Sequence, residues 1–276
     1  MFQPAIPLSG IAGWKFLQST YTRQLESYSD SPQIRNDRDY MLEKLSEPMS
    51  IADLMADKRL LRVTMTAFGL AGEEWKGGFI RKALEEVADP ESTFLARLNN
   101  TKYTNFAEAL SPVDGKIIMS SSELAKIAVN FEAESFQTAV GEIDDSMRLA
   151  LNYQSEISEM VGTDSSDKTI LYRILGDVPV RTVMETAFNL PDGLSSLDLD
   201  RQAEILEKQI TSVLGISDLS DLRKSEVTEK MINRFLAMET IENGSASYSP
   251  ASAALTLLSS GVGSQASENL FLSLLS

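Results

Sequence analysis

The apolar residues of this chain recur at helical spacing almost from end to end. Trp14, Leu17, Tyr21, Leu25 and Tyr28 fall three or four positions apart, on one face of a helix. A second helix is predicted from Ser31-Pro32, a capping residue followed by proline at the first helical position. Its apolar face is Ile34, Met41, Leu42 and Leu45, and Pro48 lies just beyond its end. Ser50-Ile51-Ala52-Asp53 has the form of a capping box with Asp in the Glu position. Leu54, Leu60, Leu61, Val63, Met65 and Phe68 follow, and Gly69 and Gly72 punctuate their end. Another face runs from Phe79 to Val87, and two short helices are expected around Leu95 and Phe106. Ser122 is read as the cap of a far longer pattern, through Ile127, Phe131, Val140, Ile143, Met147, Leu151 and Ile157 to Met160. No proline interrupts it, and about 40 helical residues would reach ~60 Å. Gly141 is its one weak point. Further helices are predicted at 167–175, 179–188, 197–214 and 227–239, and no run alternates with period two over a strand length. The expected fold is all-α: an elongated multi-helix protein with one very long central helix.

A shift of 120 residues superposes Asp57 on Asp177, Val63 on Val183, Thr66-Ala67-Phe68 on Thr186-Ala187-Phe188 and Leu70 on Leu190 without a gap. The shared ending, followed by a turn and a new helix, predicts two pseudo-repeated helical units with Phe68 and Phe188 buried at corresponding places. Residues 1–112 are expected to form an N-terminal helical unit, and 113–242 the long helix with the second unit. Residues 243–276 are read as a linker and an apolar tail. Charge almost vanishes in that tail, where Glu268 stands among Ala, Ser, Leu and Gly.

Composition narrows the chemistry. The 276 residues include no His and no Cys, so a Ser-His-Asp triad, a Cys nucleophile, a disulfide and a conventional zinc or haem site are excluded. A net charge of −15 argues against nucleic acid or an anionic membrane as partner, because phosphates call for a basic patch. No segment approaches a membrane span, and the first fifteen residues lack the pattern of a secretory signal.

Candidate sites weigh poorly against plain alternatives. Glu132, Glu134, Glu142, Asp144 and Asp145 read as a solvated helix face rather than a metal site, since helical di-metal sites draw on His. Ser122 with Lys126 reads as a capping serine and a free lysine, not a nucleophilic pair. Gly261-Val262-Gly263 lacks the strand and third glycine of a dinucleotide site. Arg23, Arg35, Arg38, Arg59, Arg62 and Arg81 read as ordinary ion pairing with nearby acids. Met41, Met49, Met55, Met65 and Met119 read as core filling. No catalytic, cofactor-binding or metal residue is assigned. The candidate partner-docking residues are Leu270, Phe271, Leu272, Leu274 and Leu275, whose side chains must bury themselves against this chain or another.

Several stretches together carry a resemblance: Ile11-Ala12-Gly13-Trp14-Lys15-Phe16-Leu17-Gln18, Asp57-Lys58-Arg59-Leu60-Leu61 with Ala67-Phe68-Gly69-Leu70, Phe79-Ile80-Arg81-Lys82-Ala83-Leu84-Glu85, and Tyr172-Arg173-Ile174-Leu175-Gly176. Over roughly residues 10–240 the chain resembles an alphaproteobacterial family of uncharacterised proteins, carried as a domain of unknown function and often encoded near flagellar genes. The resemblance brings no catalytic motif; it implies a helical fold and a flagellar association. The expected function is therefore non-enzymatic: a structural or assembly protein acting through protein contacts or self-association, with flagellar components as partners. The alternatives are a cytoplasmic adaptor or export chaperone and, third, a carboxylate-dependent hydrolase, which would need acids converging in a pocket. No cofactor is expected. The expected location is the cytoplasm, or the flagellum after export without a cleaved signal.

Overall fold

The computed structural model describes residues 2–89, 91–98, 100–162 and 166–247. Thirteen α-helices run through them with no strand among the described residues: α1 Gly10–Ser29, α2 Pro32–Leu45, α3 Ile51–Ala56, α4 Lys58–Thr66, α5 Gly77–Glu86, α6 Phe94–Leu98, α7 Thr101–Ala109, α8 Ser121–Gly141, α9 Asp145–Val161, α10 Asp167–Gly176, α11 Val178–Phe188, α12 Leu199–Gln209 and α13 Ser225–Ser247. The fold is all-α, as the spacing of apolar residues predicts. Local sequence sets many of the starts. Ser50 and Asp53 close a reciprocal capping box on α3, and Ser120 with Glu123 does the same on α8, two residues before the cap predicted at Ser122. Pro32 occupies the first position of α2.

The long central helix is corrected. Its apolar pattern is continuous, but the backbone breaks after Gly141 and resumes at Asp145, and α9 folds back on α8. The cause is Asp144, which is extended and whose carboxylate accepts from the amides of Ser146 (3.0 Å) and Met147 (3.3 Å). That cap opens a new helix inside an unbroken hydrophobic pattern. Gly141 is accordingly a point of close approach: a Cβ there would lie 2.4 Å from Cδ of Arg148. The ~60 Å rod that would have made the molecule elongated is thus replaced by a helical hairpin.

Two hydrophobic cores result. The first joins α2–α5, α7 and the amino-terminal half of α8, around Met41, Leu54, Val63, Ile80, Phe106 and Phe131. The second joins α1, the carboxy-terminal end of α8 and α9–α13, around Leu17, Phe136, Tyr153, Ile174, Val183 and Phe235. The cores therefore meet within α8, between Phe131 and Phe136, and α1 packs with helices that lie more than a hundred residues downstream. Gln24 of α1 also holds the N-terminal segment as a neighbouring strand would, accepting from the amide of Ala5 (2.6 Å) and donating to its carbonyl (3.2 Å).

The two segments related by 120 residues share their local geometry. Asp57 caps α4 by accepting from the Leu60 amide (2.9 Å), and Asp177 caps α11 by accepting from Val180 (3.0 Å). Gly69 and Asn189 both adopt left-handed backbone, with φ of 67° and 51°. The same amide bonds close both ends: Gly69 to Thr66 and Asn189 to Thr186, each 3.0 Å, then Leu70 to Met65 (3.0 Å) and Leu190 to Glu185 (2.9 Å). The likeness reaches the following helix: α5 and α12 start within two residues of the same register, and Ala83 and Ala203 are both buried, although a 3-10 turn at Asp192–Ser196 precedes α12 alone. The expected equivalence of the two phenylalanines is also corrected. Phe188 is buried, but Phe68 is half-buried against Phe106 and faces an opening between the cores.

Candidate functional site

That opening is a cavity of about 500 Å³ walled by α1, the turn after α4, α7, α8 and α9. The Asn100 side chain caps α7 by accepting from the Tyr103 amide (3.1 Å), which fixes the first turn and with it Lys102. The lysine stem runs over Gly69, where a Cβ would lie 3.3 Å from both Cδ and Cε. Its Nζ reaches Oδ2 of Asp177, the free oxygen of the α11 cap, at 3.2 Å. Glu134 of α8 accepts from Nε2 of Gln137 (3.0 Å), and Glu156 of α9 stands on the facing wall. Gln18 donates to Gln154 (3.1 Å) and Asn105 to Glu159 (2.9 Å), so α1, α7 and α9 are laced together around the opening by side-chain hydrogen bonds.

Burial governs the charges here. It pushes the Glu156 carboxyl up to about 7; Lys102 pulls it down, and Asp177, Glu134 and Glu159 add to the rise. Burial raises Glu134 too, against the opposing pull of Lys102 and Gln137. For Lys102 burial acts downward, but Glu156, Asp177 and Glu134 outweigh it and its pKa stands above the ordinary lysine value. Tyr21, on the same wall, is raised by burial and by Glu134. The arrangement can hold a proton on a carboxyl at neutral pH and can present hydrogen-bonding amides, one ammonium and one phenyl ring to whatever enters. Among the described residues no group of three or more acids is disposed to hold a metal ion.

Leu270, Phe271, Leu272, Leu274 and Leu275 lie outside the described residues. The acids of the central pattern separate. Glu132 pairs with Arg38 (2.6 Å), Asp144 is the α9 cap, and Asp145 pairs with Arg148 (2.8 Å). Glu134 departs from the solvated face expected of it, because the hairpin turns its side of α8 toward α9. Arg59 and Arg62 converge on Asp37, at 2.8 and 2.7 Å, the ion pairing that the sequence predicts. Met41 and Met65 are core residues. The sequence reading missed Lys102, Glu156 and Asp177 as a set. The one available signal was Asp177, which the 120-residue shift pairs with Asp57; nothing local marks the other two.

The family pattern described as "Protein of unknown function (DUF1217)" matches residues 67–227, more than half of the chain. The chain belongs to this family. The DUF1217 match takes in every member of the charged cluster, Lys102, Glu134, Glu156 and Asp177, and leaves out α1–α4. A crystal structure of a protein from Agrobacterium tumefaciens is similar over 87% of this chain and 99% of its own, with a TM-score of 0.68 and 24% identity. At that identity the likeness shows a shared fold. No curated protein matches the chain.

Proposed function

We propose that this DUF1217 protein is non-enzymatic and works in assembly, by docking an apolar carboxy-terminal segment on a second protein or on another copy of itself. The carrying observation is a set of exposed apolar side chains beside the contact of α13 with the start of α1. Thr240 lies against the start of α1, with its Oγ1 3.0 Å from where a Cβ of Gly10 would be. Leu8, Ile11 and Ile241, which flank Gly10 and Thr240 in sequence, are exposed, at 54%, 37% and 61%. The segment that follows carries the five apolar side chains from Leu270 to Leu275. An apolar segment in a chain that also exposes apolar side chains favours use in contacts. Flagellar components are the partners that the family resemblance favours, with an export adaptor in the cytoplasm as the alternative. No helix among the described residues is long and apolar enough to cross a membrane.

The test is deletion of residues 251–276. Loss of self-association or partner capture with an unchanged melting temperature supports the reading. A lowered melting temperature with unchanged association refutes it. Cell fractionation separates flagellar from cytoplasmic use. The cleft favours a second reading, a carboxylate-dependent hydrolase, because Glu134 and Glu156 converge in one cavity with raised pKa values. Lys102 beside both acids weighs for a structural role. Turnover of any ester, amide or glycoside that Glu156→Gln abolishes would reverse that order.

A further inference from the structure

The cleft holds more acid than base, and it lies where the two cores meet. Lys102 comes from α7 in the first core, and Asp177 from the junction of α10 and α11 in the second. Their ion pair is a tie between the cores, with side chains only 11% and 9% exposed. Glu134 and Glu156 approach the same ammonium from α8 and α9. One ammonium balances one carboxylate. Each further negative charge must be held in a site where burial has removed much of the screening water. Protonation is the means left to relieve this, since no second cation of the described residues lines the cavity.

We propose that this cluster is a pH-responsive latch: while Glu156 carries a proton, the Lys102–Asp177 pair holds the two cores together, and when Glu156 ionises the cleft loosens. The groups around Glu156 are Lys102 from α7, Glu134 from α8, Glu159 from its own helix, and Asp177 at the head of α11. Tyr21 of α1 borders the cavity and stays protonated, held up by burial and Glu134. Arg173 of α10 points its guanidinium at the Met160 carbonyl, 3.1 Å away at the far end of α9. The chain has no histidine and no cysteine, so it lacks the side chains that ordinarily titrate near neutrality.

The direction follows from linkage. In the closed cleft burial keeps the Glu156 proton up to about pH 7. In a loosened, wet cleft the carboxyl reverts to an ordinary value near 4.3, as in a model peptide. The open form therefore binds fewer protons, and the ratio of open to closed rises with pH, about tenfold between pH 6 and pH 8. Such openings are visible as amide hydrogen exchange even when the open form is a minor species.

The experiment is hydrogen exchange on the full chain at pH 6 and pH 8, corrected for the intrinsic pH dependence of exchange. Protection of the α7 and α11 amides is expected to fall about tenfold at pH 8 relative to those of α4, and Glu156→Gln is expected to abolish the fall. Equal protection at both pH values in the unaltered chain overturns the latch, and so does the same fall in E156Q. A second measurement needs no variant. Carbon-13 titration of the Glu carboxyls is expected to show one with a midpoint near 7; midpoints all below about 5.5 overturn the proposal.

Discussion

Asp57 and Asp177 do the same local work and opposite tertiary work. Each follows one helix, caps the next through one oxygen, and leads 12 residues on to a left-handed turn. The spare oxygen makes the difference. In Asp57 it accepts from the Tyr40 hydroxyl (2.6 Å), a neutral partner, and Arg59 lies over the same ring. In Asp177 it meets the Lys102 ammonium between two cores. The phenylalanines divide in the same way: Phe188 fills the second core, whereas Phe68 looks onto the cavity. A short polar grammar thus fixes a helix junction twice, while the position of each junction in the fold decides whether its carboxylate is a surface cap or part of a buried charge cluster.

Truncation should separate the pairs most clearly. Phe188→Ala is expected to cost ~3–5 kcal/mol, the range for a packed aromatic ring, and Phe68→Ala roughly half as much because its ring is already partly free. Urea denaturation of the two variants measures this, and equal losses would break the comparison. Asp177→Ala is expected to cost about 2 kcal/mol, since it removes a cap and the ion pair that ties Lys102 across the cores, while Asp57→Ala should cost ~1 kcal/mol for a cap and the Tyr40 hydrogen bond.

Acidity offers a third handle. Glu156 has a folded pKa of about 7, above its unfolded value, so folding holds its proton more tightly. The resulting stability is fully present below about pH 4.3 and is lost as pH rises to about 7, by on the order of a few kcal/mol. Glu134 acts in the same direction. Between pH 5 and pH 8 the denaturation free energy should fall in the unaltered chain and fall clearly less in Glu156→Gln, where Glu134 remains. Asp57 opposes this only in acid. Burial tends to raise its carboxyl, but the Leu60, Tyr40 and Arg59 hydrogen bonds outweigh burial and hold it below its usual value. Its contribution is lost as pH drops through that lowered value. An unaltered chain that gains stability from pH 5 to pH 8 would contradict the assignment.

The smallest expected difference is at the left-handed turns. Asn189→Ala should cost ~1 kcal/mol from backbone strain. Gly69→Ala should cost more, because the new Cβ meets the Lys102 stem at 3.3 Å as well as the positive φ. Identical melting temperatures for the two variants would show that the lysine yields freely.

Helix identity was legible where side-chain chemistry is local. Ser50-x-x-Asp53, Ser31-Pro32 and the period of Leu, Ile and Met need only neighbours within one or two turns, so the sequence announces them. The 120-residue correspondence was legible for the same reason, and it held over the junction where caps and turns decide geometry. Beyond Leu70 and Leu190 it persists in the buried Ala83 and Ala203 of α5 and α12.

The chain by itself therefore determined an all-α fold, the places where most helices begin and the absence of histidine and cysteine chemistry. These rest on residue type, spacing and caps, which act over a few ångströms. Only the tertiary structure decided that an unbroken apolar pattern splits at Asp144, because a cap competes with helix propagation and α9 gains a core by folding back. Only it decided that α1 joins the second core. Only it brought Lys102, Glu134, Glu156 and Asp177 together from three helices and the α10–α11 junction, since their charges interact through space at separations in sequence of 21 to 75 residues. A pKa raised by burial belongs to the cavity, and no single helix of this chain contains one.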